Sequence, residues 1–562
     1  MTGGALGPEA RDRALERFAS EQFDVAVVGG GITGVGIALD AATRGLSVAL
    51  VESGDIAGGT SSRSSKLIHG GLRYLEMLDF GLVREALNER RLLLTRIAPH
   101  LVRPVPLLFM LTRRYWERPY VGSGLMLYDA MGGARHLPRA RHLSKERALR
   151  AAPALRPESL TGAVLFHDCQ EDDALFAAYV ARTAASHGAA IATRLSADGV
   201  ITAADGRATG LELTDAESGR VCTLRARHVI CAAGVATDRV LERFTGRPST
   251  LLRPSKGVHL VVPREAIAAR PGIFMRTEKS IFHALPWGDG HWLLGDTDTA
   301  WDGSPDEVVA SGADRDYVLA KVNGVLRTPV EASDVVGVFA GLRPLVASGS
   351  GADTARLSRG HRLFQPLPGV TAIAGGKYTT YRVMARDAVD AAVRDLGGGA
   401  PSRTADVPLV GARAAAAVPS GGADDPAALL HRRHGGCAEE ALELAAEDPQ
   451  LARAIAGAGR YLRAEAVYAV RQLGARDLDD VLARRTRIAI EVPDQGRAAA
   501  ADVAPLVGRE LGWSEAETAR RVAAYVRLRD AEAAALEEQS DGAARARYAA
   551  VLRGDGQSPE RS

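Results

Sequence analysis

Three observations predict an α/β chain in three parts: a nucleotide-binding domain, an antiparallel-sheet domain inserted in it, and a C-terminal all-helical domain. A strand of buried type, a glycine turn and a helix follow one another at residues 23–45. Short alternating strands with Trp and Thr begin at residue 252. From residue 426 to about 538 the pattern is almost entirely helical and rich in Ala, Arg and Glu. Strand–helix alternation, strand runs and helix runs each need their own packed layers, hence three parts.

The first element carries the ligand class. Phe23-Asp24-Val25-Ala26-Val27-Val28 is apolar and β-branched, as a buried parallel strand requires. It runs into Gly29-Gly30-Gly31-Ile32-Thr33-Gly34, a GxGxxG at Gly29, Gly31 and Gly34. Ile37, Ala38, Ala41 and Ala42 continue a helix that Gly45 can cap, and a second strand, 46–51, ends in Glu52. The first Gly makes the turn, the second admits a pyrophosphate, and the third lets helix pack on strand. Amides at the helix start, those of Ile32 and Thr33 included, hold phosphate, and Glu52 accepts ribose hydroxyls. An acid there argues against a 2′-phosphate.

NAD and FAD remain open on that fingerprint alone. Two further segments favour FAD and a Rossmann-like FAD-binding domain. One is residues 60–76, in which Thr60, Ser61, Ser62, Ser65, Lys66, Leu67, His69 and Gly70 suit a loop wrapped round an anionic cofactor, with Arg73 and Tyr74 presented to a substrate. The other is His228-Val229-Ile230-Cys231-Ala232-Ala233-Gly234, a strand and small-residue turn that brings Ala233 and Gly234 near the dinucleotide.

Composition excludes several classes. A net charge of +2 gives no case for nucleic acid. The four cysteines, Cys169, Cys222, Cys231 and Cys437, form no CxxC pair, which fits a reducing cytosol and no Cys-rich metal site. Residues 1–22 lack a basic start followed by an apolar stretch, so no secretory signal is expected.

The predicted division is a loosely attached leader (1–20), a discontinuous FAD-binding domain (21–100, 150–250 and 335–400), a substrate or roof domain (100–150 and 251–334), a linker (401–425), the helical domain (426–540) and a tail (541–562). Residues 80–97 read as a helix, after which Pro99, Pro104 and Pro106 break the pattern before a strand at 107–110. Asp425-Pro426 is a cap residue followed by a first-turn Pro. Residues 113–142 mix Arg with Trp, Tyr and Met. Periodicity favours a buried helix with a solvated rim; docking to a membrane surface through 113–135 is the competing reading.

Two more segments complete a site. Gly341-Leu342-Arg343-Pro344-Leu345 puts an Arg just after a strand. Ala374-Gly375-Gly376-Lys377-Tyr378-Thr379-Thr380 puts Gly376 and Lys377 at a strand-to-helix switch, with Lys377 and Thr380 aimed at a substrate. Arg73, Arg343 and Lys377 on three segments suit a small dianion such as a phosphate ester. His259, in the alternating strand 257–262, is the best base on the chain.

The ordered strings GGGITG, TSSRSSKLIHGGLRYLE, SKGVHLVVP, ALPWGDGHWLLGDTDT, GLRPL and GGKYTTYR resemble the FAD-dependent glycerol-3-phosphate dehydrogenases over residues 22–385, and the helical part is similar in kind to about 530. The resemblance implies oxidation of sn-glycerol 3-phosphate to dihydroxyacetone phosphate, with FAD taking the hydride and a membrane quinone the electrons. It implies a cytoplasmic protein, peripheral on the inner face of the cell membrane, with a homodimer left open. It makes His259, Arg343 and Lys377 catalytic and puts Arg73, Tyr74, His259, Arg343, Lys377 and Thr380 round the substrate. Two positions depart from the family pattern: Ala232-Ala233-Gly234 where Ala-Thr-Gly is usual, and Gly295-Asp296-Thr297-Asp298 where Gly-Thr-Thr-Asp is common. Rival readings are a glycerol-3-phosphate oxidase using oxygen, an amino-acid oxidase, a non-catalytic flavoprotein and, weakest, a nicotinamide-dependent dehydrogenase.

Overall fold

The computed structural model describes residues 3–71, 79–113, 116–132, 136–277, 281–288, 290–347, 360–412 and 425–554. The predicted first strand, Gln22–Val28, pairs in parallel with Val221–Cys231 on one side and Val48–Glu52 on the other. Ala190–Thr193 and Val370–Gly375 extend this parallel sheet, and His361–Leu367 closes one edge antiparallel. Side-chain alternation between two cores explains why residues 25–28 are all apolar. Val25 and Val27 face one core with helices Ile32–Thr43, Asp173–Ser186 and Tyr381–Asp395, while Ala26 and Val28 face another, which Phe23 also joins.

That second core corrects the loose leader. Helix Pro8–Ser20 packs Ala14 and Phe18 into it, and buried Arg11 reaches Asp215 at 2.6 Å and the Thr193 carbonyl at 3.0 Å. Its apolar stripe had a sheet face to cover, which a short isolated helix does not reveal.

A mixed ten-stranded sheet forms the roof. Its buried Trp292 packs with Val318, Leu319 and Val322 of helix Gly312–Asn323. Sheet pairing differs from the predicted division in three places: Leu67–Ile68, Gly162–Gln170 and Gly337–Arg343 are roof strands, inside stretches expected in the nucleotide domain. Pro104 and Pro106 do not delay the strand Arg103–Leu111. The parallel neighbour Gly272–Arg276 pairs only with Leu107–Phe109, so neither proline removes a donor from that ladder.

In the helical domain Asp425 accepts from the Ala427 amide at 3.2 Å and caps helix Pro426–His434. A short hairpin, Ala454–Ile455 with Ala458–Leu462, interrupts the helices. Residues 541–553, assigned to a tail, form helix Asp541–Arg553, with Ala544 fully buried.

Candidate active site

Two adjoining cavities lie where the parallel sheet, the roof sheet and the helical domain meet. The larger, about 640 Å³, follows the C-terminal ends of the parallel strands. The smaller, about 270 Å³, lies under the roof. Thr60, Arg63, Ser64, His69, Arg343, Lys377 and Tyr378 line both and mark the seam.

Backbone shapes the larger cavity. Gly29 has φ +113°, and a Cβ there would stand 2.5 Å from the Ala232 carbonyl oxygen; a Cβ on Gly34 would stand 1.8 Å from that of Gly29. Only glycine allows this approach of turn, helix and strand. Gly29, Gly31, Ile32, Thr33, Glu52, Thr60, Ser61, Ala233, Gly234, Gly376 and Lys377 line the cavity, while Gly34 acts behind its wall. Ser61 Oγ accepts from the Ile32 amide at 2.9 Å. Glu52 accepts from the Gly30 and Gly54 amides, each at 2.6 Å; burial pushes its carboxyl up, against the pull of those amides. A glycine-walled groove with helix-start amides and an acid at the next strand's end fits a dinucleotide. Asp479 and Arg484 of the helical domain also line it.

The smaller cavity holds the polar side chains. His259 and His283 stand on the two strands that flank His291–Gly295, each opposite Gly295, with ring centroids 5.7 Å apart. A Cβ on Gly295 would lie 2.4 Å from His259 Cδ2, so glycine makes room for the ring. His259 Nε2 lies 2.9 Å from Ser65 Oγ. Burial lowers the His259 pKa to about 3, with Asp296 opposing and His283 and Arg343 assisting; burial lowers His283 as well. Both imidazoles are therefore neutral near pH 7. Arg343 donates to Asp296 Oδ2 and, at 2.9 Å, to the Thr297 carbonyl. Leu67 and Ser65 line this cavity rather than the larger one.

Several sequence assignments move. Lys66 lines neither cavity: its Nζ is fully buried, 2.8 Å from Asp173 Oδ1 and 3.1 Å from the Ser62 carbonyl. The charge is taken up by an internal carboxylate, and the ammonium also lies 4.8 Å from the Phe339 ring centroid. Ser62 is buried and donates to the Gly59 carbonyl, and the Gly70 amide donates to Tyr128 Oη at 2.7 Å, so neither faces a cavity. Thr380 turns back to the Lys377 carbonyl at 3.4 Å. The neighbouring Thr379 lines the smaller cavity instead, because the chain makes a 3₁₀ turn at Tyr378–Thr380 before the helix. Arg73 and Tyr74 lie outside the described residues. Sequence reasoning missed Arg63, His283, Asp168 and Tyr378. His283 had a signal in the alternation at 281–285, which marks a strand; that the strand lies one removed from that of His259 follows only from the pairing. Asp168, held by Arg90 and Tyr128 Oη, had none nearby in the chain.

The chain matches the family model described as FAD dependent oxidoreductase over residues 24–382 and that of the C-terminal domain of alpha-glycerophosphate oxidase over 402–518. It is 48% identical over 548 residues to glycerol-3-phosphate dehydrogenase 2 of Mycobacterium tuberculosis, covering 96% of this chain and 93% of that one. It is 36% identical to the mitochondrial glycerol-3-phosphate dehydrogenase of Mus musculus, covering 90% of this chain and 73% of that one. The crystal structure of glycerol-3-phosphate dehydrogenase from Bacillus halodurans with FAD superposes with a TM-score of 0.74 at 28% identity, covering 93% of this chain and 97% of that one. A dinucleotide groove opening on an arginine- and lysine-lined cavity, with these similarities across nearly the whole length, shows that the chain belongs to the FAD-dependent glycerol-3-phosphate dehydrogenase family.

Proposed function

We propose that this chain oxidises sn-glycerol 3-phosphate to dihydroxyacetone phosphate and passes the electrons to a membrane quinone. The observation that carries this reading is the seam: Arg343 and Lys377 line both cavities, so cations border the place where a flavin ring and a small anion would meet. FAD, when bound, supplies the two-electron acceptor. Gly29, Gly31, Ile32, Thr33 and Ser61 would border its phosphates, with the Ile32 amide shared with Ser61 Oγ, Glu52 would take its ribose, and Ala233, Gly234 and Gly376 would approach it by backbone. Lys377 and Arg343, with Arg73 and Tyr74, hold the phosphate ester and the carbon-2 oxygen. Neutral His259 takes the hydroxyl proton; burial makes it a weaker base than a free imidazole, Asp296 favours the cation that results, and among the described residues its buried Nδ1 has no hydrogen-bond partner.

Anaerobic glycerol 3-phosphate should bleach the yellow protein, while glycerol should not. A ring that stays oxidised in excess glycerol 3-phosphate refutes the reading. The match to an oxidase C-terminal domain keeps oxygen as a second acceptor; oxygen consumption against reduction of a quinone analogue separates the two.

No helix among the described residues is long and apolar enough to cross a membrane. Access to quinone would run through the face where Trp116, Tyr120, Met126 and Leu127 are exposed, with the Arg113 guanidinium 5.7 Å from the Trp116 ring centroid. Replacing Trp116 and Met126 by Ser should release the protein from anionic vesicles. Retention would remove that surface from the reading.

A further inference from the structure

Arg343 ends the strand Gly337–Arg343, and its guanidinium fork is already engaged by the protein. Nη2 donates to Asp296 Oδ2 and to the Thr297 carbonyl at 2.9 Å. Nη1 donates to Ser255 Oγ at 3.2 Å and to the Lys256 carbonyl at 3.4 Å, and Asp298 Oδ1 lies 3.5 Å away. The fork is seated by design of the backbone, since a Cβ on Gly257 would stand 2.6 Å from Nη2. Asp296 and Arg343 both line the smaller cavity, and each keeps 21% of its side chain exposed. The pair is therefore neither a buried structural bridge nor a surface one. It stands on the wall that a substrate anion would touch.

A planar guanidinium binds a carboxylate and a phosphate with the same edge, so the two compete for it. We propose that Asp296 sets the affinity of this site: a built-in anion that occupies the Arg343 fork and weakens the hold on dianionic substrate and product alike.

The identity of the dianion rests on the glycerol 3-phosphate reading, and the competition itself on the cavity geometry. Even at the dielectric constant of bulk water, a carboxylate about 6 Å from a dianion costs roughly tenfold in affinity. The ground state and the product carry the same phosphate, so the competition for Arg343 acts on KM and on product release, while the support that Asp296 gives to the His259 cation acts on kcat in the opposite sense. Within the cavity Asp296 also faces His259 and His283, whose protonated forms it favours, and among the described residues Lys377 and Arg63 line the same cavity.

The test uses the holoprotein and two variants. Asp296→Asn keeps the shape and removes the charge; Asp296→Glu keeps the charge. Inorganic phosphate is titrated against the flavin absorption spectrum, and KM and kcat are measured for glycerol 3-phosphate. Asp296→Asn should bind phosphate about tenfold more tightly and lower KM by a similar factor, with kcat changed less. Asp296→Glu should stay near the wild type. Unchanged or weaker phosphate binding in Asp296→Asn overturns the proposal, because Asp296 would then be orienting Arg343 for the substrate. If the wild type is not reduced by glycerol 3-phosphate but phosphate affinity still responds to Asp296→Asn, the substrate reading falls and the competition stands.

Discussion

Lys66→Met separates a structural lysine from a ligand-binding one. Lys66 has no exposed surface, and Nζ lies 2.8 Å from Asp173 Oδ1 and 4.8 Å from the Phe339 ring centroid. Burial alone would push Asp173 up, but Lys66 and Arg487 outweigh it and hold the carboxylate ionised. Removing one member of such a buried pair costs about 3–5 kcal/mol, because the other charge is left uncompensated. Arg487 still reaches Asp173 in the variant, so the low end, about 3 kcal/mol, is expected. For a domain of this size that is a fall of roughly 6–12 °C in the melting midpoint. The assay is a thermal melt with flavin content and KM measured on the folded fraction, together with the Lys66→Met/Asp173→Asn double variant. The double variant should lose less than the sum of the two singles. An unchanged midpoint with raised KM or lost flavin would refute the reasoning and return Lys66 to the cofactor wall.

Two further outcomes follow from the geometry. Gly34→Ala puts a methyl 1.8 Å from the Gly29 carbonyl oxygen, so the purified protein should lose its flavin or fail to fold, and a yellow, stable variant would show that the turn can yield. Acid should destabilise the chain through its buried neutral histidines. His259 is lowered to about 3 and His100 to about 4, both from 6.5, so the unfolded chain binds more protons below pH 6.5; the stability they contribute is complete above 6.5 and is lost as pH falls towards those values. At pH 5 each costs about 2 kcal/mol. His259→Asn and His100→Asn should each shrink the difference in melting midpoint between pH 7 and pH 5. An undiminished difference would mean that burial does not hold those rings neutral.

Local chemistry made the nucleotide half legible. Gly29, Gly31, Gly34 and Glu52 sit within one strand–turn–helix–strand unit, where spacing along the chain fixes spacing in space. The roof strand 257–262 was readable from alternation, and so was the face that carries His259. Long-range pairing was not readable. Gly162–Gln170 and Gly337–Arg343 are roof strands because of partners far away in the chain, and no local pattern states which sheet a short apolar run will join. The side-chain assignments failed in the same way. Lys66 and Ser62 stand beside cavity residues in sequence but point into the protein, because a tight loop sends neighbours in opposite directions. Asp173, which captures Lys66, lies 107 residues away.

The helical domain, readable as helices but mute as to role, acquires one from its arginines. Arg484 and Arg485 both grip Asp55, on the loop that follows Glu52, and Arg487 grips Asp172 and Asp173, beside the loop of Ser64 and Lys66. Both loops border the nucleotide cavity. Asp55 and Asp173 are almost fully buried, and a buried carboxylate without its cation is strongly unfavourable. The charge needed to keep the cofactor loops folded is thus supplied by residues more than 300 positions downstream. The helical domain therefore belongs to the construction of the site: three arginines within four positions brace the two loops, and Arg484 itself forms part of the cavity wall.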